Sequence, residues 1–192
     1  MKLAKKATSA EILDAAEALT QTRGFNGFSY ADISEAVGIT KASLHYHFRT
    51  KAELGRQLIL RYSDNFGSAL TVIGEEPIPA LQKLRRYVAL YMGVVQGDRM
   101  CLCGMLAAEV TTLPEAMRQE VRMFFDLNEA WLAGVLERGR ANGELRFEGT
   151  AVESARLLLD SLEGAMLVAR SYGDASRFEQ AAARLLAQFT PD

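Results

Sequence analysis

The sequence predicts an all-α protein of about nine helices, with a small N-terminal lobe of three helices and a larger C-terminal helical lobe. Apolar residues recur at the 3.6-residue spacing of a helix through most of the 192 residues. Ser, Thr or Asp precedes many of these stretches as a potential cap, and Gly or Pro follows them. No stretch of the sequence alternates convincingly between apolar and polar residues, as a half-buried strand would.

The first two helices are predicted from their caps and their glycines. Thr8-x-x-Glu11 is a capping box, in which each residue's side chain accepts the other's backbone N–H. The helix that it opens should end at Gly24. Ser29 should cap a second, short helix that Gly38 ends.

The third and fourth helices follow directly. Thr40 should cap a third helix that runs to about Phe48. Thr50-x-x-Glu53 is a second capping box, which should open a longer helix toward Gly74. Five further helices are predicted at about residues 79–96, 98–111, 114–141, 150–171 and 175–189.

These elements predict two domains. Residues 1–49 form the three-helix domain and residues 50–192 the larger helical domain, with 50–74 as the connecting helix. The short loops predict mostly antiparallel neighbouring helices.

Composition indicates a soluble globular protein. Hydrophobic residues make up 49% and charged residues 24% of the chain. The longest apolar run, residues 100–108, is far shorter than the roughly 20 residues that a membrane span needs, so no membrane is expected. Two cysteines cannot build a disulfide framework. We therefore expect a cytoplasmic protein with reduced thiols.

Charge is spread unevenly along the chain. Residues 1–62 contain nine Lys/Arg and six Asp/Glu, a net +3, whereas residues 63–192 have a net charge of −5. A basic front on an acidic body is compatible with a nucleic-acid partner at one end.

Residues 29–48 have the pattern of a helix-turn-helix. Ile33 and Leu44 are spaced to share a small core, with Phe48 one turn beyond Leu44. Gly38 provides the backbone conformation that a tight turn requires. The third helix would then lie in the major groove of DNA. A polar surface helix in a bundle is the alternative.

The two histidines of the chain lie in this third helix. His45 and His47 are about 200° apart around the helix axis, so they cannot share one metal ion, and no metal site is predicted. Both flank an outward face from which they can reach phosphates. The candidate DNA-contacting residues are Ser29, Thr40, Lys41, Ala42, Ser43, His45, Tyr46, His47 and Lys51.

The stretch "ILDAAEALTQTRGFNGFSYADISEAVGITKASLHYHFRTKAEL" resembles the TetR/AcrR family of transcriptional regulators over about a quarter of the chain. The resemblance is carried by "RGF", by "ISEAVGIT" and by the recognition helix that ends in "F-x-T-K". His45 departs from the pattern, because the family usually has Tyr at this position. The resemblance implies a homodimer that binds a palindromic double-stranded DNA operator and responds to a small-molecule inducer.

The segment "GDRMCLCGMLAAEV" contains both cysteines. If Asp98 caps the sixth helix, Cys101 falls in its first turn, where the helix dipole and Arg99 favour a thiolate. Cys103 lies about 200° further round, which excludes a disulfide between the two within the helix. Residues 100–121 are similar to a subgroup of these repressors that senses electrophiles such as maleimides, quinones and aldehydes. The alternative is that both cysteines are inert core residues.

Aromatic and methionine side chains in the larger domain are candidates for a ligand pocket. At helical spacing, such side chains are core residues more often than pocket residues. Together with Cys101, the candidate ligand or sensor residues are Tyr62, Phe66, Tyr87, Tyr91, Met92, Met105, Phe124, Trp131 and Met166.

The last two helices are candidates for a dimer interface. The resemblance implies that they pair with their symmetry mates in a four-helix bundle. A monomeric core is the alternative. The candidate interface residues are Leu158, Leu162, Ala165, Ala169, Phe178, Leu185 and Phe189.

The sequence therefore predicts a dimeric, ligand-responsive transcriptional regulator, most simply a repressor. A helical dimeric interaction module without operator-specific DNA binding is the alternative. No Ser/His/Asp order and no glycine-rich phosphate loop is present in the sequence, so neither an enzyme nor a cofactor is expected.

Overall fold

The computed structural model describes residues 8–190, and these contain nine α-helices and no strand, which confirms the all-α prediction. The helices are α1 Ser9–Arg23, α2 Tyr30–Val37, α3 Lys41–His47, α4 Lys51–Glu75, α5 Ala80–Gln96, α6 Leu102–Ala108, α7 Glu115–Ala141, α8 Ala151–Ser171 and α9 Ala175–Leu186. Two short 3-10 helices, Val110–Thr112 and Ala187–Phe189, follow α6 and α9.

Capping side chains begin several of these helices. The box at Thr8 and Glu11 is confirmed at the start of α1. At the start of α4 only half of the predicted box forms. The Thr50 hydroxyl accepts the backbone N–H of Glu53 at 3.1 Å, but the Glu53 carboxylate accepts the N–H of Arg49, also at 3.1 Å, rather than that of Thr50.

The start of α6 differs from the prediction. Asp98 has a left-handed φ of 53° and belongs to the turn that closes α5, where its N–H donates to the Val95 carbonyl at 3.0 Å. Because α6 begins only at Leu102, Asp98 does not cap it. Cys101 therefore directly precedes the helix and does not lie in its first turn.

The chain forms two compact units. Unit 1 contains the described residues 8–64 and 102–123, and unit 2 contains residues 65–101 and 124–190. These boundaries differ from the predicted division between residues 49 and 50. The long helices α4 and α7, of 25 and 27 residues, each contribute to both units.

Unit 1 has a core to which α1 to α4, α6 and the start of α7 contribute. Ile12, Ile33 and Leu44 are completely buried in it. At Gly55 of α4 an added Cβ would come within 2.5 Å of the Met117 side chain, so α4 and α7 approach closely at this point. Burial of these apolar side chains supplies most of the stabilisation of a small helical unit.

Unit 2 is a helical assembly in which α8 packs along α9 and α5 packs against both. Leu84, Leu132 and Leu162 are completely buried in its core. Within residues 8–190, no helix is both long enough and apolar enough to cross a bilayer.

Candidate functional site

The turn between α2 and α3 has the geometry of a helix-turn-helix. Gly38 has a φ of 76°, and its N–H donates to the Ser34 carbonyl at 2.9 Å. The N–H of Ile39 donates to the same carbonyl at 3.0 Å. Leu44 and Phe48 are buried, as predicted, and they fix which face of α3 points outward.

The outward face of α3 is open to solvent in unit 1. Tyr46 is 85% exposed, and Lys41, Ala42 and His45 are also exposed. Ser43 and His47 are half-buried at its edges and belong to the same short helix. Tyr46, Lys41 and His45 therefore present an aromatic ring and polar side chains on the same exposed surface.

The two histidines have separate hydrogen bonds. The His45 Nδ1–H donates to the Arg49 carbonyl at 3.2 Å, which directs its other ring nitrogen away from the helix end. His47 Nδ1 lies 3.1 Å from the Ser9 hydroxyl and so connects α3 to α1. Among residues 8–190, no three His, Cys, Asp or Glu side chains come together as a metal site.

Tyr30 supports His45 from α2. The two rings lie 4.8 Å apart, and the Tyr30 hydroxyl donates to the Phe48 carbonyl at 3.0 Å. Burial, together with the nearby Glu53 carboxylate, raises the pKa of Tyr30 to about 12, so the hydroxyl remains a donor. His45 is thereby held between α2 and the end of α3.

The predicted hydroxyl contacts, Ser29 and Thr40, are helix caps. The Thr40 hydroxyl accepts the Ser43 N–H at 3.1 Å. The Ser29 hydroxyl accepts the Ala31 N–H at 3.2 Å and donates to the Asp32 carboxylate at 2.6 Å. Both residues are exposed, and Thr40 directly precedes the first residue of α3.

Lys51, a predicted DNA contact, has partners within its own unit. Its ammonium donates to the backbone carbonyls of Phe25 and Phe28. It also lies over the rings of these residues, 4.6 Å and 4.2 Å from their centroids. Burial lowers the pKa of Lys51. The amine therefore stabilises the loop between α1 and α2.

Glu109, which the sequence reasoning missed, holds the same loop. Its carboxylate accepts the N–H of Phe25 at 2.7 Å and that of Asn26 at 3.2 Å. The Asn26 side chain donates to the Thr112 hydroxyl at 2.7 Å. The only sequence signal was an acidic residue directly after the apolar run of α6.

Unit 2 contains eight of the predicted ligand or sensor residues: Phe66, Tyr87, Tyr91, Met92, Cys101, Phe124, Trp131 and Met166. The Phe66 ring lies 5.3 Å from Phe124 and 5.9 Å from Tyr91, in edge-to-face contacts. Tyr87 stacks on Trp131 at 5.6 Å. The other two candidates, Tyr62 and Met105, belong to unit 1.

A buried hydrogen-bond network runs through these aromatic residues. The Tyr87 hydroxyl donates to the Asn128 side-chain oxygen at 2.9 Å and lies 3.2 Å from the Tyr91 hydroxyl. The Asn128 amide donates to the Phe124 carbonyl at 2.8 Å. Asn128 was not predicted, although a polar residue four positions after one aromatic and three before another was a visible signal.

Cys101 lies next to a buried carboxylate that the sequence reasoning also missed. The Cys101 backbone N–H donates to the Met166 sulfur at 3.1 Å. The Glu163 carboxylate accepts hydrogen bonds from the Cys101 thiol and the Tyr91 hydroxyl, and its burial raises its pKa to about 7. A lone acidic residue in the apolar stretch "SLEGAML" was the sequence signal.

Both cysteines are buried thiols. Cys103 is in α6 and belongs to unit 1, whereas Cys101 is the last residue of unit 2 before α6 begins. Beside Met166, unit 2 has a cavity of about 320 Å³ whose rim includes Arg99 and Arg170.

The predicted dimer-interface residues differ in burial within the single chain. Five of them are core side chains of unit 2 with at most 6% exposure: Leu158, Leu162, Ala169, Phe178 and Phe189. They pack within the core of their own chain. Ala165 and Leu185 are half-buried and keep some accessible surface.

A second apolar stripe on α8 is exposed instead. Leu157, Val168 and Tyr172 are 60%, 48% and 67% exposed and share one face of the helix with Gly164. A Cβ at Gly164 would meet no atom within 4 Å. Together with α9 this face forms a shallow groove of about 560 Å³, lined by Gly164, Ala165, Val168, Arg177, Gln180 and Ala181.

Two family descriptions match the chain. "Bacterial regulatory proteins, tetR family" matches residues 12–58, and "Tetracyclin repressor-like, C-terminal domain" matches residues 80–185. A crystal structure of a TetR-family transcriptional regulator from Agrobacterium tumefaciens is 37% identical, with a TM-score of 0.92, over 95% of this chain and 97% of that chain.

The HTH-type transcriptional repressor NemR of Escherichia coli (strain K12) is also similar. It is 29% identical over 170 residues, which are 85% of this chain and 84% of NemR. A crystal structure of the reduced form of E. coli NemR is 27% identical and has a TM-score of 0.83, over 96% of this chain and 99% of that chain.

Proposed function

Because this chain belongs to the TetR family of bacterial regulatory proteins, we propose that it is a transcriptional repressor that binds a palindromic operator as a homodimer and is released by a small electrophilic inducer. The observation that carries the DNA-binding part is the outward face of α3, where Tyr46 is 85% exposed above the fully buried Leu44. As a member of a family of transcriptional regulators, the protein acts on DNA in the cytoplasm rather than as an enzyme.

The α3 helix reads the operator. Its exposed residues Ala42, Ser43 and Tyr46 face the base edges, while Lys41 and His45 meet the flanking phosphates. The caps Ser29 and Thr40 lie at helix N-termini, whose free amides favour a phosphate. Two copies of α3 in a dimer enter successive major grooves, about 34–36 Å apart.

The homodimer forms through the exposed face of α8. Leu157, Val168 and Tyr172 supply apolar surface, and Gly164 lets the partner helix approach closely. The shallow groove between α8 and α9, beside Ala165, receives the partner subunit. An isologous contact of this kind gives the two-fold symmetry that a palindrome requires.

Cys101 is the reacting residue of the sensor. Its thiol lies against the Glu163 carboxylate and the Met166 sulfur, inside an aromatic cluster suited to flat, apolar electrophiles such as quinones and maleimides. The similarity to NemR, a repressor whose structure is described for a reduced form, supports thiol chemistry here. Formation of the adduct on Cys101 changes the stability of the start of α6.

The signal then passes along α6 to the DNA-binding segment. Cys101 precedes α6 directly, and Glu109, just past its other end, holds the amides of Phe25 and Asn26 before α2. A shift of α6 therefore moves the loop that positions the helix-turn-helix. A coupling free energy of about 1–3 kcal/mol is enough to release the operator.

A direct test measures DNA binding and its release. A duplex selected from a random library is labelled, and its binding is followed by fluorescence anisotropy over a range of salt concentrations. We expect binding that weakens steeply with salt and is lost after treatment with N-ethylmaleimide, with Cys101→Ser resistant to the treatment.

The outcomes separate this function from its alternative. If no duplex is selected, or if binding does not depend on salt, the chain is a helical interaction module without operator binding. If Cys101→Ser is released as readily as the unmodified protein, Cys101 is not the sensor. Cys103→Ser is the matched control, because Cys103 is the other buried thiol.

A further inference from the structure

Glu163 is an acidic residue buried among apolar side chains of unit 2. It lies on α8 between Leu162 and Met166, which are both completely buried. The residue keeps some exposed surface, but its Oε1 atom is buried and has no hydrogen-bond partner within the described part of the chain. A buried carboxylate oxygen without a donor is destabilised, so this group binds a proton readily.

The proton closest to this carboxylate belongs to a nucleophile. The Cys101 thiol donates to Glu163, which also accepts from the Tyr91 hydroxyl. Tyr91 and Tyr87 behind it are neutral donors, because burial raises the pKa of both hydroxyls. The charged side chains Asp160 on α8 and Arg85 on α5 are exposed, whereas Arg99 and Arg170 line the cavity beside Met166.

A path for a small reagent exists beside this pair. The cavity of about 320 Å³ is lined by Met166, whose sulfur accepts the Cys101 N–H. Methionine is unbranched and flexible, so rotation of its side chain can open the cavity toward the thiol. The volume is sufficient for a single-ring electrophile.

We propose that Glu163 is the proton acceptor for Cys101, so that the two residues form a thiol–carboxylate pair that reacts with neutral, conjugated electrophiles. This inference rests on the proposed sensor role of Cys101. The pair explains how a buried thiol becomes nucleophilic, because a thiol reacts as its thiolate and the carboxylate accepts its proton.

The reaction is an addition to a conjugated double bond. The Cys101 sulfur forms a bond to the β-carbon while the carbon–carbon π bond breaks. The thiol proton moves to the Glu163 carboxylate and then to the α-carbon of the adduct. The thiol and the alkene combine without loss of any atom, and no oxidant or reductant takes part.

The test compares alkylation rates between pH 5.5 and 9 in proteins that retain Cys101 as their single thiol. All variants therefore carry Cys103→Ser. N-ethylmaleimide is the probe, and the adduct on Cys101 is quantified by mass spectrometry. With Glu163 present, we expect the rate to rise with a midpoint near pH 7, where this carboxyl loses its proton.

Two substitutions of Glu163 distinguish proton transfer from a structural role. Glu163→Gln keeps the shape but cannot accept a proton, so the step near pH 7 should disappear and the rate at pH 7 should fall roughly tenfold. Glu163→Asp keeps a carboxylate and should retain a titration step at a lower rate. Asp160→Asn, at an exposed carboxylate three residues away, is the matched control and should not change the profile.

The possible failures are distinguishable. If Cys101 forms no adduct at any pH, both the sensor role and the thiol–carboxylate pair are wrong. If Cys101 is alkylated with the same pH profile in Glu163→Gln and Glu163→Asp as in the parent, the sensor role stands and the inference about Glu163 is overturned.

Discussion

Lys51 and Glu109 hold the same loop through opposite kinds of backbone group. Lys51, the first residue of α4, donates to the carbonyls of Phe25 and Phe28. Glu109, which follows α6, accepts the amides of Phe25 and Asn26. The loop between α1 and α2 is thus tied to one helix by a cation and to another by an anion, and its position depends on both.

Glu109→Gln should loosen this loop. The neutral amide accepts more weakly, and its NH₂ group repels the two backbone donors. Hydrogen bonds to charged groups contribute about 1.5–3 kcal/mol, so we expect a lower melting temperature and weaker operator binding. Both are measured on the same preparation, by thermal denaturation and anisotropy. Glu148→Gln, at an exposed glutamate, is the control, and equal losses in both variants would contradict the prediction.

Substitution of Lys51 should lower the stability of the fold, whereas substitution of Lys41 should change only the salt dependence of DNA binding. Lys51→Met removes an ammonium from two carbonyls and two aromatic rings, and the expected loss is about 2–4 kcal/mol of unfolding free energy. Lys41→Gln, at an exposed position, should leave stability unchanged but reduce the slope of log K against log salt by about 1. Chemical denaturation and salt titrations measure the two effects. A reduced slope caused by Lys51→Met in the folded protein would show that we have misassigned this lysine.

Val168→Glu should convert the dimer to a monomer. A glutamate on the exposed stripe of α8 would place two like charges in an apolar interface, at a cost of several kcal/mol. Sedimentation velocity measures the change, and helix content by circular dichroism should remain the same. Leu167→Glu is the matched control because Leu167 is 60% exposed on the same helix but lies about 100° away. A monomer produced by Leu167→Glu and not by Val168→Glu would show that the interface lies on the face of α8 that carries Leu167.

Glu163 should make stability depend on pH. Its pKa is raised by burial from 4.5 to about 7 in the folded protein. The folded state therefore binds more protons than the unfolded state between these values, and stability falls as pH rises through this window. The loss is on the order of 1–3 kcal/mol. Melting temperatures from pH 4.5 to 8 should fall less in Glu163→Gln than in the parent, and an identical decline in both would rule the effect out.

The helices of this protein follow from local patterns. Capping residues such as Thr8 and Thr150, glycines such as Gly38, and the 3.6-residue spacing of apolar side chains predict each element within a few residues. The orientation of α3 is likewise local, because Leu44 and the following Phe48 lie about 40° apart around the helix axis and are both buried. The family resemblance depends on these same residues, so the sequence determined the DNA-reading face.

Other features depend on the tertiary structure. On α8, the stripe of Leu158 and Leu162 and the stripe of Leu157 and Val168 are both apolar and differ by about 100°. Only packing against α5 and α9 decides that the first is core and the second is exposed.

The sequence by itself determined nine helices, their approximate limits and the outward face of α3, because caps and periodicity act over a few residues. The tertiary structure alone decided that Lys51 turns inward, that Glu109 holds the loop before α2, and that Glu163 lies beside Cys101. These three relationships join residues 26, 84 and 62 positions apart, respectively. Contacts over such distances arise from the packing of whole helices, which no local spacing rule encodes.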